Sequence, residues 1–153
     1  GKTPVVKVQA KKMHINMISA ISNQGKLHFL LYSDAINSDR LISFMEAIIK
    51  TAGKKVYLIL DNLRVHHSKK VSEWVEEHRQ QIRLFHLPPY SPEYNPDEYL
   101  NNDLKRNIGS QAMVKDIGEL ETHTNTFMNQ LSKDADHVKA YFDHPALSAY
   151  KLS

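Results

Sequence analysis

The pattern of apolar and polar residues along the chain predicts strands that alternate with helices. Residues 56–60 (Val-Tyr-Leu-Ile-Leu) are apolar without interruption, as expected of a strand buried on both faces of a partly parallel sheet. Residues 14–22 and 26–33 have the composition of two further strands. Between them, Asn23-Gln24-Gly25 predicts a three-residue hairpin loop with Gly25 at the position that needs positive φ.

Two helices are predicted around the 56–60 strand, each with one apolar face. Ser38 is the predicted N-cap of the first helix, which ends at Gly53; its apolar residues are Leu41, Phe44, Met45, Ile48 and Ile49. Ser68 opens the second helix, whose shared face holds Val71, Trp74, Val75 and His78. Residues 82–87 then predict another strand. A strand, a helix and a strand in succession predict a right-handed crossover and a parallel pair.

The C-terminal half predicts a stiff loop followed by three helices. Pro88, Pro89, Pro92 and Pro96 restrict the loop, and Asn95 caps a helix that has Pro96 at its first position. The apolar stripe of this helix is Leu100, Leu104 and Ile108, and Gly109 is its predicted end. Asp116 and Glu119 form a capping-box pattern before a core stripe from Ile117 to Leu131. A last helix is predicted over 134–142, where His144-Pro145 ends it.

Composition narrows the class of protein. The 153 residues are enough for one domain that buries roughly 70% of its unfolded surface. With 20 Lys and Arg against 17 Asp and Glu, the net charge is too small to identify a nucleic-acid binder by itself. The lack of cysteine excludes disulfides and thiolate metal sites. No signal peptide or membrane-spanning apolar run is visible, so we expect a soluble intracellular domain. It starts without an initiator Met, so we expect it to be the C-terminal part of a longer protein.

Two carboxylates are the strongest candidates for chemistry. Asp61 follows the 56–60 strand directly, and the carboxyl ends of strands are where α/β sheets place their sites. Glu98 lies in the first turn of the helix that begins at Pro96. Two carboxylates that converge from distant parts of a sequence can share a hard divalent cation.

Each carboxylate also has an ordinary structural interpretation. An Asp after a strand is more commonly part of an Asx-turn or an N-cap. Asn95 at the N-cap with Glu98 at the third helical position is a capping box, which needs no chemistry. Both structural interpretations become less favoured because the two acids occur together within one longer sequence motif.

That pattern is a resemblance to a known family. Residues 56–105 resemble the core of the DDE transposases of the mariner-related bacterial insertion-sequence group, within the RNase H-like, retroviral-integrase-like superfamily. The matching positions are Asp61-Asn62, His66, Leu-Pro-Pro-Tyr-Ser-Pro at 87–92, Asn95-Pro96, Glu98 and Leu104-Lys105. One position departs from the family, which usually has Trp three residues after the catalytic Glu, where this chain has Asn101.

The resemblance implies an RNase H-like mixed α/β sheet flanked by helices, in a single domain over 1–153. It also implies DNA hydrolysis and strand transfer with Asp61 and Glu98 as catalytic metal ligands. A complete site of three carboxylates holds two Mg²⁺ or Mn²⁺ ions about 3.5–4 Å apart. Transposon-end and target DNA would be the partners, the active parent a homodimer, and the location the bacterial cytoplasm.

The family's first catalytic Asp lies upstream of a segment that resembles Gly1-Lys2-Thr3-Pro4, so we expect the isolated chain to be inactive. Asp34 ends the second hairpin strand, at the far edge of the sheet in this fold, and we reject it as a substitute. The first, central strand of the fold is truncated as well. Residues 4–10 or a second copy of the chain could take its place.

Further residues near the predicted active edge are weaker candidates for DNA or phosphate contacts. They are Asn62, Arg64, His66, Lys69, Lys70, Tyr90, Lys105 and Arg106. His66 is equally well explained as a loop histidine, Tyr90 more simply as packing against the sheet, and each cation as a solvated surface charge.

Two other functions stay open. One is a non-catalytic transposase remnant that binds nucleic acid or another subunit. The other is a different RNase H-like nuclease, which the Pro-Pro-Tyr-Ser-Pro match disfavours.

Overall fold

The protein was analysed as a computed structural model, which describes residues 5–10, 13–60, 67–87, 95–110 and 114–143. Five strands and five helices follow one another in these parts of the chain. They are β1 (Val5–Ala10), β2 (Met13–Ile21), β3 (Leu27–Tyr32), α1 (Ser38–Ala52), β4 (Val56–Leu60), α2 (Lys69–Glu77), β5 (Ile82–His86), α3 (Pro96–Ser110), α4 (Ile117–Ser132) and α5 (Ala135–Ala140). No helix among the described residues is long and apolar enough to cross a membrane.

The strands form an antiparallel set and a parallel set. Strands β1, β2 and β3 are antiparallel neighbours in that order, and β4 pairs with β5 in parallel. The predicted hairpin and the predicted parallel pair are therefore confirmed. Strand β1 pairs with β2 on the side opposite β3, from Val5 beside Ile18 to Ala10 beside Met13. Residues 5–10 of the chain itself therefore form a strand beside β2, as one of the two ways to replace a truncated first strand requires.

Strand β2 separates two apolar cores because successive side chains point to opposite faces. Ile15, Met17 and Ile21 pack with α3, α4 and α5. Ile18 and Ala20 face the second core, which includes residues of α1, β4 and β5. The antiparallel sheet is thus enclosed by helices on both faces, and the predicted stripes of α1 and α3 lie in these two cores.

Several boundaries differ from the prediction. Asn37, and not Ser38, is the N-cap of α1: its side chain accepts a hydrogen bond from the Arg40 N–H at 2.9 Å. Asn37 has the extended backbone of an N-cap residue, and its side-chain oxygen is the hydrogen-bond acceptor. Ser38 is therefore the first residue inside the helix. Gly109 lies inside α3 and does not end it. A single internal Gly costs a helix only about 1 kcal/mol, which packing of the apolar stripe outweighs.

Three side chains are more exposed than their patterns predicted. The β4 strand is buried on one face only: Leu58 and Leu60 are buried, but Tyr57 is 55% exposed. Ile117 is 51% exposed at the start of α4, outside the core that Leu120, Met128 and Leu131 join. The Trp74 ring is half-buried and stacks on His78 with centroids 4.1 Å apart. Periodicity identifies the face a residue lies on, but how far a neighbouring element covers that face is decided by the tertiary structure.

Candidate active site

The carboxyl ends of β4 and β5 lie side by side. Leu60 is in register with His86, and the Leu87 N–H donates to the Leu60 carbonyl at 2.7 Å. Asp61 and the proline-rich loop follow these two strand ends in the sequence. Asp61, Asn62, Arg64, His66 and Tyr90 themselves lie outside the described residues, so their predicted roles stay predictions.

Glu98 occupies the third position of α3 and is half-buried. Asn95, directly before the helix, is 2% exposed, and its side-chain oxygen accepts the Asp97 N–H at 3.2 Å. The Glu98 N–H donates to the Asn95 carbonyl at 3.0 Å. Asn95 therefore caps α3 as predicted, and the capped first turn fixes the backbone from which the Glu98 carboxylate extends.

Asp97, the residue before Glu98, is a buried carboxylate that the sequence analysis did not identify. It is fully buried, and both of its carboxylate oxygens lie close to the Ser19 hydroxyl of β2, at 3.0 and 3.1 Å. A buried carboxylate is costly unless it is hydrogen-bonded, so this contact selects one position of α3 on the sheet. The only sequence signal was an acid beside Glu98 in the first turn of a helix.

Asn101 stands where the related family usually has Trp. It is 1% exposed, and its side-chain oxygen has no hydrogen-bond partner in the parts of the chain that the structure describes. Asn101 lies one turn after Asp97 and directly after Leu100, so α3 turns a partly polar stripe toward the interior. A buried amide with an unsatisfied acceptor destabilises the helix packing.

A pair of histidines lies at the same strand ends. The rings of His67 and His86 stack with centroids 4.2 Å apart. Burial, and then the neighbouring His67, lowers the pKa of His86, because a second positive charge on the stacked ring is unfavourable. His86 went unnoticed in the sequence; it lies on the same side of β5 as Ile82 and Leu84, but at the exposed end of the strand.

Three of the basic residues proposed as DNA contacts have acidic partners. Lys69 lies 3.8 Å from Glu73, and Arg106 lies 2.6 Å from Asp103. Lys70 pairs with Asp39, and Lys105 is exposed on α3. The Lys69 and Lys70 pairs are exposed and therefore weak.

Asp34 is engaged elsewhere, at the end of the edge strand β3. Its carboxylate lies 2.6 Å from the Arg40 guanidinium, and the hydrogen bond from Arg40 lowers the pKa of Asp34. This surface ion pair gives Asp34 a local structural role, in keeping with its rejection as a catalytic acid.

In the ranges that the structure describes, no cluster of three or more His, Asp or Glu side chains could hold a metal ion. The two candidate ligands are carboxylates, whose hard oxygen donors fit Mg²⁺ or Mn²⁺ better than zinc. Asp61 lies outside those ranges, and Glu98 extends from a capped and half-buried helix start.

A family comparison decides the class of this chain. The sequence model of the DDE superfamily endonucleases matches residues 1–121, which span both Asp61 and Glu98. The chain belongs to the DDE superfamily of endonucleases. No curated protein sequence matches it significantly.

Solved structures share the fold of this DDE domain. The catalytic domain of Mos1 mariner transposase superposes with a TM-score of 0.68 and 13% identity, over 97% of this chain and 80% of that one. The HTLV-2 integrase catalytic core domain in complex with magnesium superposes with a TM-score of 0.54 and 16% identity, over 88% of this chain and 79% of that one. The Mos1 transposase paired-end complex with left transposon end superposes with a TM-score of 0.61 and 13% identity, over 94% of this chain and 46% of that one. The predicted RNase H-like transposase and integrase fold is confirmed.

Proposed function

We propose that this chain is the catalytic-domain part of a DNA transposase that hydrolyses phosphodiester bonds and transfers DNA strands with divalent metal ions. The observation that carries the proposal is the match of the DDE endonuclease family to a range that includes both Asp61 and Glu98. The mariner-like Pro-Pro-Tyr-Ser-Pro motif at 88–92 supports transposition in particular.

Asp61 and Glu98 would hold Mg²⁺ or Mn²⁺ in this proposal. The bound metal would activate water or a DNA 3′-hydroxyl and stabilise the leaving oxygen. The chain's own contribution is to fix the start of α3, from which Glu98 extends, through the Asn95 cap and the Ser19–Asp97 hydrogen bond. β4 and β5 end side by side directly before Asp61 in the sequence. A ligand held in place in this way lowers the cost of reorganisation during the reaction.

Metal binding by this chain tests the assignment directly. We expect Mn²⁺ titration, followed by electron paramagnetic resonance, to show binding that Asp61→Asn or Glu98→Gln abolishes. Glu76→Gln is the matched control, because Glu76 is an exposed acid of α2. Unchanged Mn²⁺ binding in both site variants would contradict the assignment.

Cleavage gives the second readout. In a protein that carries this domain with all three acids, either site variant should abolish Mg²⁺-dependent nicking of element-end DNA while the unfolding midpoint changes little. If the protein is a non-catalytic remnant, the unsubstituted protein should also fail to nick this DNA, although it should still bind it.

The partners proposed for the parent protein are transposon-end DNA, target DNA and a second copy of itself. The Mos1 paired-end complex contains a transposon end, and an HTLV-2 integrase core has a dimeric form. We place the parent's activity on the nucleoid in the bacterial cytoplasm, in agreement with the lack of cysteine. Sedimentation of the protein with and without end DNA tests whether it pairs.

A further inference from the structure

The outward face of β4 and β5 carries two exposed aromatic rings. Tyr57 is 55% exposed and Phe85 is 40% exposed, and their ring centroids lie 6.2 Å apart at a tilt of 32°. Strand register places them diagonally, with Tyr57 beside Arg83 and Ile59 beside Phe85. The opposite face of these strands is the packed one, where Leu58, Leu60 and Leu84 join the core with Val71.

Each ring has a cation next to it. The Lys55 ammonium lies 5.7 Å from the centre of the Tyr57 ring, and the Arg83 guanidinium lies 4.9 Å from that of Phe85. Neither strand contains an acidic residue. Aromatic rings on a sheet with flanking cations are the chemistry by which proteins bind single strands, because every base can stack and every phosphate is negative.

The positive surface continues beyond the amino end of β4. A cavity of about 310 Å³ opens between the β2–β3 hairpin, the end of α1 and the start of β4. Tyr57 forms part of its wall, Lys26, Lys54 and Lys55 also line it, and none of its lining residues is acidic. The chain has 17 acidic residues, yet none lines this cavity. The clustered lysines therefore attract a polyanion, and they repel the identical basic face of a second copy of the chain.

We propose that the outward face of β4 and β5, with Tyr57 and Phe85 as stacking rings and Lys55 and Arg83 as phosphate contacts, binds single-stranded DNA. The choice of DNA rests on the proposed function. Tyr57 lies three residues before Leu60, roughly 10 Å along the strand, so a bound strand would run along the two strands toward the proposed active site. Stacking tolerates any base, so binding would show little sequence preference.

Fluorescence anisotropy with a labelled oligothymidine, in buffer containing EDTA, tests this proposal. We expect Tyr57→Ala and Phe85→Ala each to weaken binding roughly tenfold. Lys55→Gln and Arg83→Gln should each reduce the slope of log affinity against log salt by roughly 0.7. Ile117→Ala and Lys133→Gln are matched controls, because they remove an exposed apolar and an exposed basic side chain from α4 and its C-terminal end.

Three outcomes would overturn the proposal. The first is unchanged affinity in the Tyr57→Ala, Phe85→Ala double variant, with circular dichroism confirming that it folds. The second is tighter binding of oligouridine or of a DNA duplex than of oligothymidine. The third is a protein dimer that the double variant dissociates, which would mean that a second copy covers this face. EDTA removes the metal from the measurement, so a failure here is distinct from loss of Mn²⁺ binding at Asp61 and Glu98.

Discussion

The hydroxyl of Ser19 on β2 hydrogen-bonds the carboxylate of Asp97 on α3 at 3.0 Å, and both residues are fully buried. These residues are far apart in the sequence, and the contact joins the middle of the antiparallel sheet to the residue directly before Glu98. Leaving a buried polar group without its hydrogen bond costs about 1–3 kcal/mol. The start of α3 is therefore fixed by one specific polar contact as well as by apolar packing.

Removal of the Ser19 hydroxyl should destabilise the fold. We expect Ser19→Ala to lower the free energy of unfolding by about 2 kcal/mol, because the Asp97 carboxylate stays buried and loses a donor. Urea denaturation measures the change. Ser132→Ala is the control: its hydroxyl bonds an Asn129 carbonyl on the exposed side of α4, so its effect should stay below about 0.5 kcal/mol. Equal effects of the two substitutions would contradict a special role for Ser19.

Asn101 should be a site where a substitution stabilises the protein. Its buried oxygen lacks a partner among the described residues, and an apolar residue of similar volume removes that unsatisfied group. We expect Asn101→Leu to raise the free energy of unfolding by about 1 kcal/mol, measured by thermal and urea denaturation. A loss of stability would show that the Asn101 amide has a partner that this fold requires.

Two glycines at positive φ should differ in their tolerance of a side chain. Gly25 has φ +87°, and a Cβ there would lie 2.7 Å from the Ala135 carbonyl oxygen of α5; Gly53 has φ +66° and open space around it. We expect Gly53→Ala to lower the free energy of unfolding by about 1 kcal/mol, because an alanine is strained in the left-handed backbone conformation. Gly25→Ala should cost about 2 kcal/mol more, because α5 must move away. Similar unfolding midpoints for the two variants would mean that the hairpin does not press on α5.

Asp103 on α3 is the centre of a polar cluster with α5. Its carboxylate accepts a hydrogen bond from the Tyr141 hydroxyl at 2.6 Å and lies 3.0 Å from His137 Nε2 and 2.6 Å from Arg106. Burial raises the pKa of Asp103, but the hydrogen bonds from Tyr141, Arg106 and His137 outweigh it and hold the pKa below its ordinary value of 3.8. Burial, and then the bond to Asp103, raises the pKa of Tyr141.

This cluster should make stability depend on acidic pH. Because the pKa of Asp103 is lower in the folded state, its contribution is present above about pH 3.8 and is lost as the pH falls through the folded value. Tyr141→Phe should cost about 1–2 kcal/mol at neutral pH, and the difference from the unsubstituted protein should shrink in acid. Urea denaturation at neutral pH and near pH 3 measures both. Arg106→Gln should cost less, because that guanidinium is exposed; a Tyr141→Phe deficit independent of pH would contradict the assignment.

The sequence by itself determined the order of the strands and helices from β2 onward, because period-2 and period-3.6 patterns and local caps are encoded by neighbouring residues. It left β1 open. The hairpin at Gly25, the parallel β4–β5 pair and the Asn95 cap are such features. The motif that surrounds Asp61 and Glu98 also identified the family, since it is a linear signature.

Tertiary structure decided what no local pattern contains. The burial of Asp97 depends on Ser19, which lies in a distant strand, and the fit of Gly25 depends on Ala135 of α5. The apolar run of β4 predicted burial on both faces, but α1 and α2 pack only on the Leu58 and Leu60 side, and Tyr57 stays exposed. A sequence encodes which residues can be buried, while the elements that reach them across long chain separations decide which ones are.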